Sequence, residues 1–293
     1  MKFEHVLVVI ILVVVLALVL DWFQIIRWSD LTGSSSSSGM GMGMENLEEK
    51  YLYPKDEKID YYVITMKNPE RMKNIEEQME KLKNQGTPVQ IQIVDAVVGV
   101  DLNLDELIEQ KKLSPSYPIH RTEKIKKKEI GCYMSHLKIY DMIQEKDNSG
   151  FSIIFEDDFD IASENFQQDV YDSLNYLKEH NLDFDVLYLG TQAENHGELI
   201  NDKTYKIDKS KDLYGTHAML INHKNIHKII DHFKFIKEPI DVEYTQLCRS
   251  DKINAYVIFP HLVNTQNDKL LSTIQNENFK SVTDSFKYSQ FKI

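Results

Sequence analysis

YYVITMKNPERMKNIEEQMEKLKNQGTPVQIQIV, residues 61–94, decides the fold class of this chain. Tyr61 to Met66 is rich in aromatic and β-branched side chains and reads as a buried strand. Pro69 then opens a helix, because its fixed φ and missing N–H suit a first helical position. Met72, Ile75, Met79 and Leu82 recur at helical spacing along it, and Gly86 stops it. Val89 to Val94 reads as a second strand. Strand, helix and strand in so short a stretch form a βαβ unit, which implies an α/β domain with a mainly parallel central sheet.

Further elements follow the same logic. Leu104 to Lys112 reads as a short helix, and Ser114 to His120, with two prolines, as a loop. Glu129 to Glu145 carries a broad apolar face (Ile130, Tyr133, Met134, Leu137, Tyr140, Ile143), so it reads as a largely buried helix. Phe151–Phe155, Asp185–Gly190, Ala218–Ile221 and Tyr256–Phe259 read as strands, and Lys224 to Phe233 as a helix.

Composition removes several classes of function. The 293 residues carry 34 basic and 46 acidic side chains, a net charge of −12, which is the wrong sign for a general nucleic-acid binder. Cys132 and Cys248 cannot make a disulfide framework or a cysteine-only zinc cage, and their spacing leaves open whether they pair. Four of the 11 glycines (Gly33, Gly39, Gly41, Gly43) lie in one short stretch. The other seven form neither a GxGxxG nor a GxxxxGK[ST] motif, so the glycine-cradled phosphate sites are excluded.

That short stretch belongs to the amino-terminal region. Val6 to Leu20 is an unbroken apolar run, extended to Ile26 with only Asp21 and Gln24 as interruptions. At about 1.5 Å per residue the extended run crosses a ~30 Å hydrocarbon core. No small-residue cleavage site follows it, and Trp22 and Trp28 suit the membrane interface. Residues 1–28 are therefore expected to be a single transmembrane signal anchor, with the remainder on the lumenal or exoplasmic side. Residues 29–46, rich in serine, glycine and methionine, read as a flexible tether to a domain spanning 47–293. The first 46 residues hold two basic and four acidic side chains, so nearly all the acidity belongs to that domain.

The sharpest chemical feature is FSIIFEDDFD, residues 151–160, where Glu156, Asp157, Asp158 and Asp160 follow directly on a buried strand. Ligands of open α/β sheets bind beyond the carboxyl ends of strands. Clustered carboxylates repel one another unless some are protonated or a cation lies among them. Mg²⁺ or Mn²⁺ suits such oxygen donors and can in turn hold the diphosphate of a nucleotide. The alternative for this stretch is a solvated acidic turn.

Six blocks now resemble glycosyltransferase family 25, which includes bacterial lipooligosaccharide and eukaryotic procollagen galactosyltransferases. They are YVITMKNPERMKNI from Tyr62, KKKEIGCYMSHLKIYDMI from Lys126, FSIIFEDDFDI from Phe151, DVLYLG from Asp185, YGTHAMLINHKNIHKII from Tyr214 and PIDVEY from Pro239. They occur in the family's order between Tyr61 and Gln266. Thr65, Met66 and Lys128 depart from the family's Asn, Leu and Gly. The resemblance implies a GT-A-like nucleotide-diphosphosugar transferase domain. It also implies transfer of a hexose, galactose or glucose, from a UDP-sugar to a glycan or hydroxylated protein, with Mn²⁺ (or Mg²⁺) as cofactor.

Residue roles follow from that resemblance. Glu156 and Asp158 are expected to ligate the metal, with His261 as a late ligand, and Asp157 to meet the ribose or sugar. Thr65 is expected to bind substrate, and Arg71, at the first strand-to-helix turn, to contact the uridine or its phosphates or else to form a surface salt bridge on that helix. Asp241 is the candidate general base for the acceptor hydroxyl, on a loop fixed by Pro239, with Glu243 as fallback. His217 is expected to touch acceptor or phosphate. His136 reads either as a core histidine or as a substrate contact. His223 and His227 read as a solvated helix face rather than a zinc pair. The run Lys124, Lys126, Lys127, Lys128 reads as a solvated loop or helix start, or as a clamp on an anionic acceptor. The rival from another class is a catalytically inactive glycan-binding or assembly protein that keeps this fold.

Overall fold

The computed structural model describes residues 59–266 except 87–89, 119–120, 147–148 and 193; the expected anchor (1–28), the tether (29–46) and both ends of the 47–293 domain lie outside the described residues. Among the described residues no helix is long and apolar enough to cross a membrane.

The opening βαβ unit is present. Strand β1 (Ile59–Thr65) leads into helix α1 (Pro69–Asn84) and strand β2 (Ile91–Asp95), and β1 and β2 pair in parallel. Asn68 caps α1, its side chain accepting from the amides of Glu70 and Arg71, and Pro69 follows at the first helical position. Gly86 ends the turn at φ +88°, a conformation open to glycine at no steric cost. A 3₁₀ turn (Gly99–Asp101) and helix α2 (Leu104–Glu109) precede the long helix α3 (Glu123–Gln144). Gly131 makes this approach possible, because a Cβ there would lie 2.8 Å from the Val97 carbonyl oxygen and 2.9 Å from Gly99.

Helix α3 starts earlier than the apolar pattern indicates. Thr122 caps it by accepting from the Ile125 amide, so the lysine run forms its first turns, with Lys127 3.4 Å from Glu123. The predicted helix at Lys224 is also revised. His223–Asn225 form a 3₁₀ turn, and helix α5 covers Ile226–Phe233. His223 is buried, its Nε2 2.7 Å from Ser152 Oγ, while His227 is exposed. The strand beneath takes up that imidazole, so only one of the two histidines lies on a solvated face.

The remaining elements are β3 (Phe151–Glu156), β4 (Phe159–Ile161), α4 (Phe166–Glu179), β5 (Val186–Gly190), β6 (Thr204–Lys206), β7 (Ala218–Asn222), α6 (Ile240–Arg249), β8 (Ala255–Ile258) and β9 (Val263–Thr265). The main sheet has the order β2-β1-β3-β7-β5-β8-β6. Five of its seven strands run one way, while β7 in the middle and β6 at the edge run against them. A mixed α/β sheet of mainly one direction is thus present, with a central reversal that the sequence pattern does not reveal.

Alternate residues of each strand feed opposite faces. Tyr62 and Ile64 pack with Tyr133 and Tyr140 of α3, Phe233 of α5 and Tyr244 of α6. Tyr61 and Val63 pack with Ile75 of α1 and Val170 and Leu174 of α4. The period of two in a strand makes this division, and the sheet lies between two helical layers.

Candidate active site

The acidic turn sits where β3 ends beside β1: Glu156 is in register with Ile64, and Phe155 with Val63. Phe155 and Phe159, on either side of the turn, stack at 4.4 Å between ring centroids. Strand β4 then pairs antiparallel with β9 in a separate two-stranded sheet. Asp157 and Asp158 are thereby held at the mouth of the main sheet.

Helix α1 positions this turn through a buried polar stripe. Arg71 Nη1 lies 3.0 Å from Asp157 Oδ1 and 3.1 Å from Asp158 Oδ2, and Arg71 is only 4% exposed. One turn on, Asn74 donates to the carbonyls of Asp157 and Phe159, both at 3.0 Å. Its Oδ1 accepts from Gln78 at 3.2 Å and from Gln266 at 2.8 Å. Gln78 accepts from the Ile161 amide, Lys81 reaches Asp160 and Gln85 donates to the Ser163 carbonyl. These residues recur every three or four positions, so one helix face meets the turn and β4 along their length.

The opposite side of the turn is built by Tyr214–His217, ahead of the reversed strand β7. The Thr216 hydroxyl donates to Glu156 Oε1 at 2.8 Å, and the Glu156 amide donates to the His217 carbonyl at 3.0 Å. The Gly215 backbone hydrogen-bonds the Asp241 carboxylate, which also accepts from the Val242 amide at 2.9 Å. Gly215 has φ +89°, and a Cβ there would press on Gln192 and His217. A single short segment therefore fixes both Glu156 and Asp241. Asp241 lies in the first turn of α6 with Pro239 as its cap residue, not on a loop.

Electrostatics separate the carboxylates. Burial, then the charge of Glu156, raises Asp158 above the ordinary aspartate value against the pull of Arg71, and burial raises Asp157 against the Thr65 hydrogen bond and Arg71. Burial also raises Glu156, but the hydrogen bond and charge of His136, with Thr216 and His217, carry it below its ordinary value. Burial raises Asp241, partly offset by its backbone hydrogen bonds. His217, 2% exposed, is shifted down by burial and so favours the neutral imidazole.

Thr65, Arg71, His136 and His217 are each at most 4% exposed, and all four lie against the acidic turn. His136 Nε2 lies 3.4 Å from Glu156 Oε1, and Thr65 hydrogen-bonds Asp157. Glu243 is 1% exposed and fully engaged: Oε2 lies 2.7 Å from His232 Nε2, and Oε1 accepts from the amides of Lys237 and Glu238. Two positions along a helix from Asp241, it points away from that carboxylate and serves as a structural tie. His261 bonds Thr191 Oγ1 at 3.0 Å, and its electrostatic neighbours are His217, Glu194 and His196 rather than the acidic turn. Both cysteines are free thiols.

Asp157 and Asp158 share the one guanidinium of Arg71, and the charge of Glu156 beside them bears on both. Asp158 Oδ1 is buried without a partner, the condition a metal–oxygen bond relieves. Among the described residues, the donor atoms of Cys132, His136 and Glu156 also lie within 4.8 Å of one another. Burial and the carboxylates around Cys132 push its thiol well up, which disfavours the thiolate that a softer metal takes. The oxygen set of Glu156 and Asp158 is the better match, and it suits a hard cation.

Asn74, Thr216 and Gln266 escape the sequence reading. Only the spacing of Asn74, three residues after Arg71 on one helix, carries a signal.

An α/β sheet with acidic and basic groups gathered beyond its strand ends has the layout of a ligand-binding α/β domain. The family model described as glycosyltransferase family 25 (LPS biosynthesis protein) matches residues 58–244, and the chain belongs to that family. It is 34% identical over 126 residues to Procollagen galactosyltransferase 1-A of Xenopus laevis, covering 41% of this chain and 20% of the relative. Procollagen galactosyltransferase 1-B of the same organism is 33% identical over the same length and shares. The chain thus aligns with about a fifth of the length of these relatives.

Proposed function

We propose that this chain is a metal-dependent hexosyltransferase of GT-A type, moving galactose or glucose from a UDP-sugar to a glycan or hydroxylated protein acceptor. The observation that carries this reading is the Glu156–Asp158 turn at the sheet end, with Arg71 behind it and Asp241 fixed through the same Tyr214–His217 segment. Glu156 and Asp158 would hold Mn²⁺ or Mg²⁺, which supplies charge neutralisation for the departing diphosphate. Arg71 and Asn74 keep the turn in place. Asp241 takes the proton from the acceptor hydroxyl, and burial gives it a basicity above that of an ordinary aspartate.

The apolar run Val6–Leu20 supports a single membrane anchor, with the domain on the lumenal or exoplasmic side. A transfer assay with UDP-galactose and UDP-glucose in the presence of Mn²⁺ tests the enzymatic reading. Wild type should release UDP, and Asp158→Ala should lose about 100-fold or more of that activity, as expected when transition-state charge stabilisation is removed. Equal rates in the two proteins would sink it.

A further inference from the structure

Cys132 and His136 stand one turn apart on α3, beside Glu156 at the end of β3. One donor atom of each lies within 4.8 Å of the other two, and His136 Nε2 is 3.4 Å from Glu156 Oε1. We infer that this trio is a second metal site, one that takes a soft divalent ion, Zn²⁺ or Cd²⁺, and has Glu156 in common with the hard-cation set. The binding stands apart from the transferase reading; only the competition with Mn²⁺ rests on it.

The geometry is that of a site with one position left open. A sulfur, a nitrogen and an oxygen are the donors of a three-ligand zinc centre, whose fourth position takes water. Spacing of i, i+4 puts Cys132 and His136 on one face of their helix. Tetrahedral ligands at zinc distances stand roughly 3.3–3.8 Å apart, so the nitrogen and oxygen are already at that separation and the sulfur needs only a small approach. The Thr216 hydroxyl, 2.8 Å from Glu156 Oε1, fixes the carboxylate. His136 is fully buried, while Cys132 is only half-buried, so an ion enters from the sulfur side.

The charge around the thiol selects the ligand. Burial first, then the carboxylates of Glu156, Asp241, Asp158 and Glu129, hold Cys132 protonated. The field that opposes a bare thiolate attracts a divalent cation, whose charge takes the place of the proton's. As the metal–sulfur bond forms, the S–H proton passes to solvent, and no oxidant or reductant is needed. A thiol this reluctant to ionise lowers the affinity for every metal, and yields only to an ion that bonds sulfur strongly. That sorts the ions: Mg²⁺ and Mn²⁺ stay with the oxygens of Glu156 and Asp158, while Zn²⁺ and Cd²⁺ gain the thiolate. Because Glu156 is common to both sets, an ion at one weakens the other by the same factor in either direction.

Titration of the full chain with Cd²⁺, followed by the ultraviolet absorption of the cadmium–thiolate bond, tests this. The sequence holds two thiols, Cys132 and Cys248, so two variants assign the band. Wild type and Cys248→Ser should each develop it with one ion per chain, and Cys132→Ser should lose it. A band missing from wild type or from Cys248→Ser, or persisting in Cys132→Ser, would overturn the assignment. With Mn²⁺ at about ten times its own dissociation constant, half-saturation by Cd²⁺ should move up about tenfold. An unmoved titration would overturn the sharing of Glu156. Zn²⁺ should also suppress Mn²⁺-dependent UDP release by wild type and spare Cys132→Ser. A thiolate band without any UDP release would sink the transferase reading and leave the site standing; UDP release untouched by Zn²⁺, with no band, would do the reverse.

Discussion

Removing the Asn74 side chain is the most direct probe of how the acidic turn is held. Asn74→Ala strands two backbone carbonyls, of Asp157 and Phe159, and two amides, of Gln78 and Gln266. The bonds to Phe159 and Gln78 are buried, while those to Asp157 and Gln266 are part-buried and can recruit water. A buried group left unsatisfied costs about 1–3 kcal/mol, so two of them destabilise the domain by about 3 kcal/mol after some relaxation. For a domain of this size that lowers the melting temperature by about 6–12 °C in scanning calorimetry. The turn also loses its fixed position, so Mn²⁺-dependent UDP affinity should fall about tenfold or more by titration calorimetry. Asn74→Asp should be worse for UDP than Asn74→Ala, since it sets a carboxylate among three others. A variant that melts with wild type, or that melts early yet binds UDP and Mn²⁺ unchanged, would refute the assignment of α1 as the support of the turn.

Asp241→Asn should reduce kcat by about 100-fold or more, the range for losing a general base, while UDP affinity is retained. Because burial raises the Asp241 carboxyl, activity should rise with pH along an acidic limb lying above the ordinary aspartate value of about 3.9, as the base loses its proton. A limb at or below that value, or one persisting in Asp241→Asn, would count against it. Glu243→Ala should instead cost about 3 kcal/mol of stability by thermal melting, by freeing His232 and the Lys237 and Glu238 amides, with little change in kcat. A kinetic loss without a melting change would return Glu243 to the role of base. Gly131→Ala should cost about 1–3 kcal/mol by denaturant titration, since its Cβ meets backbone at 2.8 Å that cannot swing away; unchanged stability would show that α3 can shift.

The sequence carries the βαβ opening and the strand-to-acidic-turn junction clearly, because both depend on local patterns: a period of two, a period of 3.6, a proline and a glycine. Helix α6 is not legible in sequence, because Pro239 ahead of Asp241 reads as fixing a loop rather than as the cap residue of a helix. Strand β7 was legible as a strand, but its direction is set by which neighbours bury it, and nothing local encodes that. The site shows the same division. The carboxylates Glu156 and Asp158 and the proline that opens α1 are visible in a linear reading. The burial of Arg71 and His217 is not, because the role they share with Thr65 and His136 arises only when α1, α3 and the Tyr214–His217 segment close on one turn. Polar residues at buried positions of α1 look like a solvated face in sequence, and Arg71, Asn74 and Gln78 are read correctly only beside their partners.

The reversed strand β7 has a consequence for folding order. It brings the segment that precedes it against the end of β3, so Thr216 meets Glu156 across 60 positions, and beyond β9 Gln266 meets Asn74 across 192. Chain closures of that length are entropically late events, slower than forming the helices or the first parallel pair. UDP affinity should therefore appear only with the last kinetic phase of refolding, and fragments ending before β7 should bind no donor even where their helices are formed. For a protein made from its amino terminus onward, nucleotide-sugar capture would begin only after nearly all of this domain has been synthesised.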